Sequence, residues 1–117
     1  MAQLYYGADA RPVEIPDHVL AHVKVVAATK LRRGESFMLT WRHHGGEGSD
    51  GRTSLWMQPS IPLRFVFDDA EPETLDSEYL RTLANEATSS RGIVLEWDDE
   101  TLESHSAEAP PVTAVAA

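Results

Sequence analysis

A chain of 117 residues with 42% hydrophobic residues is typical of one globular domain with a modest core. The chain has no cysteine, which excludes disulfides, thiolate nucleophiles and cysteine-ligated zinc sites. No apolar run approaches the roughly 20 residues of a membrane span, and residues 1–17 lack the basic and apolar regions of a signal peptide. We therefore expect a soluble, cytoplasmic protein with no membrane partner.

The net charge of −9 is distributed unevenly along the chain. Residues 1–58 contain seven Lys/Arg and six Asp/Glu residues, whereas residues 59–117 contain three and thirteen. The overall acidity argues against a dedicated nucleic-acid binder, because phosphate contacts supply most of the nonspecific affinity. The uneven distribution still allows a local basic surface on the first half.

The chain begins with a predicted β-hairpin followed by a helix. Gln3–Tyr6 and Val13–Ile15 have strand composition and flank a turn-like segment. Asp17 is the predicted N-cap of the helix. The helix has one apolar stripe at helical spacing, formed by Val19, Leu20, Val23, Val26, Ala27 and Leu31.

Four signals predict the end of this helix. Lys30, Arg32 and Arg33 crowd its last turn, where cations interact favourably with the negative end of the helix dipole. Gly34 follows in the C′ position, where glycine adopts a left-handed conformation at little cost. Residues 30–34 therefore predict a helix C-terminus.

Three strands are predicted next, from the period-two alternation in residues 37–42, 53–58 and 63–67. Their short connections predict an antiparallel meander. A second helix is predicted from about Leu75 to Thr88, with a stripe of Leu80, Leu83, Ala84 and Ala87, and a last strand over residues 93–97. We expect one domain over residues 1–97, and an acidic, then Ala/Pro-rich, disordered tail over residues 98–117.

The predicted element order is ββ-α-βββ-α-β, which indicates an α+β fold. Each helix has one apolar face that must be buried against a sheet. The simplest arrangement is a two-layer sandwich, with both helices on one face of a mostly antiparallel sheet.

The stretch Gly46–Thr53 differs by one residue from the phosphate-binding pattern G-x-x-x-x-G-Lys-[Ser/Thr], since Arg52 replaces the lysine. A phosphate-binding loop must lead into a helix whose N–H groups face the phosphate. Here the following residues, 53–58, alternate as a strand does, and Glu47 and Asp50 would repel phosphate. We interpret the stretch as a hairpin loop.

His18 and His22 lie four residues apart on one predicted helix face, a spacing that can chelate a divalent metal. A usable site needs a third ligand, and the metalloprotease pattern needs Glu where Val19 stands. We therefore predict solvated or hydrogen-bonded histidines, also at His43 and His44, and no metal. We predict no catalytic residues and no cofactor.

Basic residues of the first half could gather near one edge, beside Trp41 or Trp56 as a stacking platform. The alternative is that Trp41 belongs to the core and the arginines are solvated or paired with acids. The candidate nucleic-acid residues are Arg32, Arg33, Arg42 and Arg52.

The stretches HVKVVAATKLRRGESFMLTW and GRTSLWMQPSIPLRFVF, with the opening Leu4-Tyr5-Tyr6-Gly7, resemble a family of short bacterial proteins of unknown function. The resemblance covers about residues 1–97 and implies a small domain without assigned catalytic residues. Some members are labelled automatically as ATP-dependent DNA ligases. That chemistry needs a Lys-x-Asp-Gly motif, and after Lys30 this chain has Arg32 and Arg33 in the Asp and Gly positions.

These observations favour a small non-enzymatic binding or regulatory module with a protein partner that we do not identify. The alternative is an accessory protein that contacts nucleic acid weakly through its basic first half, with the acidic tail competing for that surface. The two hypotheses differ in whether the arginines converge on one face.

Overall fold

The α+β class and the element order ββ-α-βββ-α-β are both confirmed. The computed structural model describes residues 1–44 and 50–97, with the backbone alone for His44 and Asp50. The predicted tail and most of the predicted loop at Gly46–Thr53 lie outside the described residues. The elements are β1 (Ala2–Tyr6), β2 (Val13–Ile15), α1 (Asp17–Arg32), β3 (Phe37–His44), β4 (Asp50–Met57), β5 (Leu63–Val66), α2 (Ser77–Thr88) and β6 (Ile93–Leu95).

The strands form two three-stranded sheets. Sheet 1 has the order β2-β1-β5 and is antiparallel throughout, and it contains the predicted β1–β2 hairpin. Sheet 2 has the order β4-β3-β6, with β4 antiparallel and β6 parallel to β3.

The predicted meander of three strands is wrong in its last member. The strands β3 and β4 pair as predicted, but β5 pairs with β1 instead of β4. The connection from β4 to β5 contains Pro59 and Pro62, which have no N–H for a continuing ladder, and it turns where Ile61 N–H donates to the Gln58 carbonyl. The chain therefore leaves sheet 2 and enters sheet 1.

The helix α1 begins one residue earlier than the prediction requires, because Pro16 is its N-cap. The first helical hydrogen bond runs from Leu20 N–H to the Pro16 carbonyl, so Asp17 is already helical. The Asp17 side chain makes no capping hydrogen bond; its carboxylate lies 3.5 Å from the ammonium group of Met1. The prediction of Asp17 as N-cap is therefore wrong.

The end of α1 is formed as predicted. Gly34 has a φ of 75° and donates its N–H to the Leu31 carbonyl, while Glu35 donates to the Lys30 carbonyl. This pair of bonds is a Schellman motif, which satisfies two carbonyl groups that the helix leaves without partners.

Gly34→Val is expected to lower the free energy of unfolding by about 1–2 kcal/mol, because a β-branched residue is strained at positive φ. A side chain at Gly34 would meet no atom within 4 Å, so backbone strain is the only cost. Chemical denaturation measures the loss. Gly34→Asn is the control and should lose much less, since Asn tolerates the left-handed region. Equal stability of the Val variant and the wild type would contradict this account.

The helix α2 begins at Ser77, two residues after the predicted start. The Asp76 carboxylate accepts hydrogen bonds from the N–H groups of Glu78 and Tyr79, and so caps the helix. In the predicted stripe, Leu83 and Ala87 are buried, whereas Leu80 and Ala84 are half-buried.

The core lies between the helices and the inner faces of the two sheets. It includes the buried positions of α1 and the inward residues of β3 and β6. Its most completely buried large side chains include Leu4, Ile15, Leu20, Leu39, Met57, Leu83 and Ile93. Within residues 1–44 and 50–97, no helix is long and apolar enough to cross a bilayer.

Candidate functional site

The outer face of sheet 2 is set by the alternation of β3. Phe37, Leu39 and Trp41 point inward and are buried, so the prediction that Trp41 belongs to the core is confirmed. Because successive side chains of a strand point to opposite faces, Thr40 and Arg42 point outward. The strand thus divides its residues between the core and a polar outer face.

The register between β3 and β4 brings two predicted site residues together. Arg42 is directly opposite Arg52, and Thr40 is directly opposite Ser54. The hydroxyl oxygens of Thr40 and Ser54 are 2.7 Å apart, within hydrogen-bonding distance. Two arginines thus share the outer face with a pair of hydroxyl groups.

These side chains border a groove of about 510 Å³. We call it the arginine groove; it is lined by Thr40, Arg42, Gly51, Arg52, Ser54, Arg91 and Val94. Arg91 precedes β6, whose Val94 is the neighbour of Thr40 across the parallel pairing. A third arginine therefore joins the two that the strand register brings together.

The arginine groove has an excess of positive charge. Like charges directly opposite each other on a sheet are destabilising unless an anion lies nearby. The Arg42 guanidinium lies 3.6 Å from the Glu96 carboxylate, and both side chains are more than half exposed. Within the described part of the chain, Arg52 and Arg91 make no ion pair. The groove can therefore accept further negative charge.

Trp56 lies on the same face as Arg52 and Ser54, because these residues alternate with inward residues along β4. Its side chain is 50% exposed, which is unusual for so large an apolar group. Its backbone carbonyl accepts a hydrogen bond from the Tyr6 hydroxyl, which connects this end of β4 to sheet 1. The outer face thus combines an exposed indole with the arginine groove.

The other two predicted site residues lie elsewhere. Arg32 and Arg33 are exposed at the end of α1, and neither borders the arginine groove. Arg33 borders a different groove, of about 440 Å³, between α1 and α2. The structure therefore brings together Arg42 and Arg52 but not all four candidates.

The histidine pair on α1 is structural in its contacts. His22 is fully buried, its Nε2 accepts the Asp76 N–H at 2.8 Å, and its Nδ1 is 2.6 Å from the His18 carbonyl. Since Nε2 accepts, the proton is on Nδ1, which donates to that carbonyl. The rings of His18 and His22 also contact the ring of Tyr79.

Burial raises the pKa of Tyr79 to about 12, and the nearby carboxylate of Glu86 adds to the rise. The phenol therefore stays neutral beside the two imidazoles at physiological pH. Burial also raises the pKa of Glu73, and the charges of Asp17 and Asp69 contribute to it. Among the described residues, no group of three or more His, Asp or Glu side chains is arranged to hold a metal ion.

Two sequence motifs that mimic nucleotide sites have ordinary structural contacts. Thr53 is part of β4, so the segment after Gly51 is a strand, as predicted, and not a helix. The Lys30 ammonium is 3.3 Å from the Glu35 carboxylate and donates to the Thr88 hydroxyl at 3.0 Å. This lysine joins the end of α1 to α2.

Sequence reasoning missed Arg91, Thr40 and Ser54 as members of the site. The alternation of β3 and β4 contained the signal for Thr40 and Ser54, since both fall in the same phase as the two arginines. Nothing in the local pattern around Arg91 indicated its place, because β6 pairs with a strand about 50 residues away in sequence.

No curated protein and no solved structure matches this chain. One family matches residues 1–100, which is most of the chain and includes the whole arginine groove. The sequence resemblance to a family of unknown function is thereby confirmed in its general form. The chain belongs to the family described as Domain of unknown function (DUF7882).

Proposed function

We propose that this protein is a non-enzymatic binding module and that its ligand is single-stranded nucleic acid, bound on the outer face of sheet 2. The observation that carries the proposal is the placement of Arg42 directly opposite Arg52 on a face that also exposes Trp56. Cations beside an exposed aromatic ring are the combination with which sheet surfaces bind single strands.

Each part of this face has a counterpart in a nucleic-acid strand. Arginine matches the geometry of a phosphate with two parallel hydrogen bonds. The hydroxyls of Thr40 and Ser54 can donate to phosphate oxygens. The Trp56 indole offers a stacking surface to any base, which supports binding without strong sequence preference. The net charge of −9 opposes binding over the rest of the surface, so we expect weak affinity confined to this face.

The groups in the groove support binding rather than catalysis. Arginine keeps its proton at all physiological pH values, so Arg42, Arg52 and Arg91 cannot serve as general bases. The hydroxyls of Thr40 and Ser54 pair with each other, and no imidazole lines the groove. A serine or threonine nucleophile needs an adjacent base. We therefore assign these residues to recognition.

The test is fluorescence anisotropy with a labelled oligothymidylate at increasing salt. We expect weak binding at low salt that declines as salt rises, because phosphate contacts release counterions. Arg42→Gln/Arg52→Gln should weaken binding at least about tenfold and reduce the salt slope by about two, one for each lost phosphate contact. Trp56→Ala should weaken binding about tenfold through lost stacking.

The matched control is Arg32→Gln/Arg33→Gln, which removes the same charge from the end of α1. We expect a clearly smaller effect, because these residues lie outside the arginine groove. Equal losses in the two double variants would show that binding is diffuse and would contradict the assignment to sheet 2. The absence of binding at low salt would reject nucleic acid as the ligand.

A further inference from the structure

We infer that Glu96 regulates the arginine groove as an internal counter-anion, which a phosphate group must displace from Arg42. The inference rests on the proposed function, because it requires a phosphate-bearing ligand. It adds a residue that opposes binding to the residues that favour it.

The parallel pairing of β6 with β3 places Glu96 at this position. Trp41 and Leu95 are partners across the two strands, so the next residues along each strand, Arg42 and Glu96, lie side by side. The Arg42 Nη1 and the Glu96 Oε2 are 3.6 Å apart. The same carboxylate therefore neutralises part of the groove and occupies one of its phosphate-binding groups.

The ion pair is built to be exchanged. The side chains of Arg42 and Glu96 are 57% and 56% exposed, so water and salt screen their attraction. A phosphodiester that bridges Arg42 and Arg52 would contact two cations, whereas Glu96 contacts one of them. Phosphate can therefore replace the carboxylate, but it does so at the expense of the existing pair.

The test compares Glu96→Gln with Glu14→Gln. Both variants remove one exposed carboxylate and change the net charge equally, but Glu14 lies on β2 in the other sheet. We expect Glu96→Gln to bind oligothymidylate about two- to fivefold more tightly than wild type, which is the range of an exposed ion pair. Glu14→Gln should stay close to wild type. In an Arg42→Gln background, Glu96→Gln should bring a smaller gain.

A second measurement separates this inference from the proposed function. Inorganic pyrophosphate is titrated while the NMR signals of the groove arginines are followed. Tighter pyrophosphate binding in Glu96→Gln, without any oligothymidylate binding, would support the role of Glu96 and reject nucleic acid as the ligand. Equal affinities of the Glu96 and Glu14 variants for both probes would overturn the role of Glu96, even if the wild type binds oligothymidylate.

Discussion

Gly92→Ala is expected to lower the free energy of unfolding by about 3 kcal/mol or more, from positive-φ strain and from overpacking. Gly92 has a φ of 79°, and a Cβ there would lie 2.3 Å from the Met38 carbonyl oxygen and 2.8 Å from the Met38 Cβ. These atoms belong to β3, whose backbone cannot move without disturbing sheet 2. The close approach of Gly92 to β3 is therefore required for β6 to pair.

Gly34→Ala is the matched control, because Gly34 has nearly the same φ but open space around it. We expect a loss of about 1 kcal/mol there, from backbone strain alone. Urea denaturation of both variants gives the comparison. If the two alanine variants lost the same stability, contact with Met38 would contribute nothing, and the packing of β6 on β3 would be looser than described. Because Arg91 and Glu96 flank β6, a Gly92→Ala variant that still folds should also lose oligothymidylate binding.

His22→Leu is expected to cost about 2–4 kcal/mol of stability, since it leaves a buried donor without its acceptor and disturbs the core. The Asp76 N–H donates to His22 Nε2, and Asp76 is the N-cap residue of α2. Leucine fills a similar volume but cannot accept this hydrogen bond. The start of α2 would therefore lose its connection to α1.

His43→Leu is the control for this substitution, because His43 is exposed at the end of β3. A surface change of this kind should stay within about 0.5 kcal/mol of wild type. Thermal and urea denaturation of both variants measure the difference. A His22 variant as stable as the wild type would mean that the Asp76 N–H finds another acceptor, and that the histidine is not needed for the packing of the two helices.

Local patterns in the sequence were sufficient for most elements. The stripe of α1 was predicted from spacing alone, and five of its six residues are buried. The stop at Gly34 was predicted because a left-handed residue after a cationic last turn is a local requirement, and the structure has it. The start of α2 was misplaced because two neighbouring residues, Leu75 and Asp76, are suited to different roles there.

The candidate site was predictable in part. Alternation along β3 and β4 placed Arg42 and Arg52 in strands on either side of one loop, and a hairpin makes such strands neighbours. Arg32 and Arg33 were grouped with them from charge alone. They belong to the end of a helix, and charge does not indicate which surface a residue joins.

The sequence by itself determined the α+β class, the order of elements and which face of each helix is buried, because these follow from periodicity within short segments. Only the tertiary structure decided that β5 joins β1 and that β6 lies parallel to β3. Pairing between distant segments depends on how the whole core packs, which no local period records. That pairing adds Arg91 and Glu96 to the pair formed by Arg42 and Arg52, and so sets the charge of the proposed binding face.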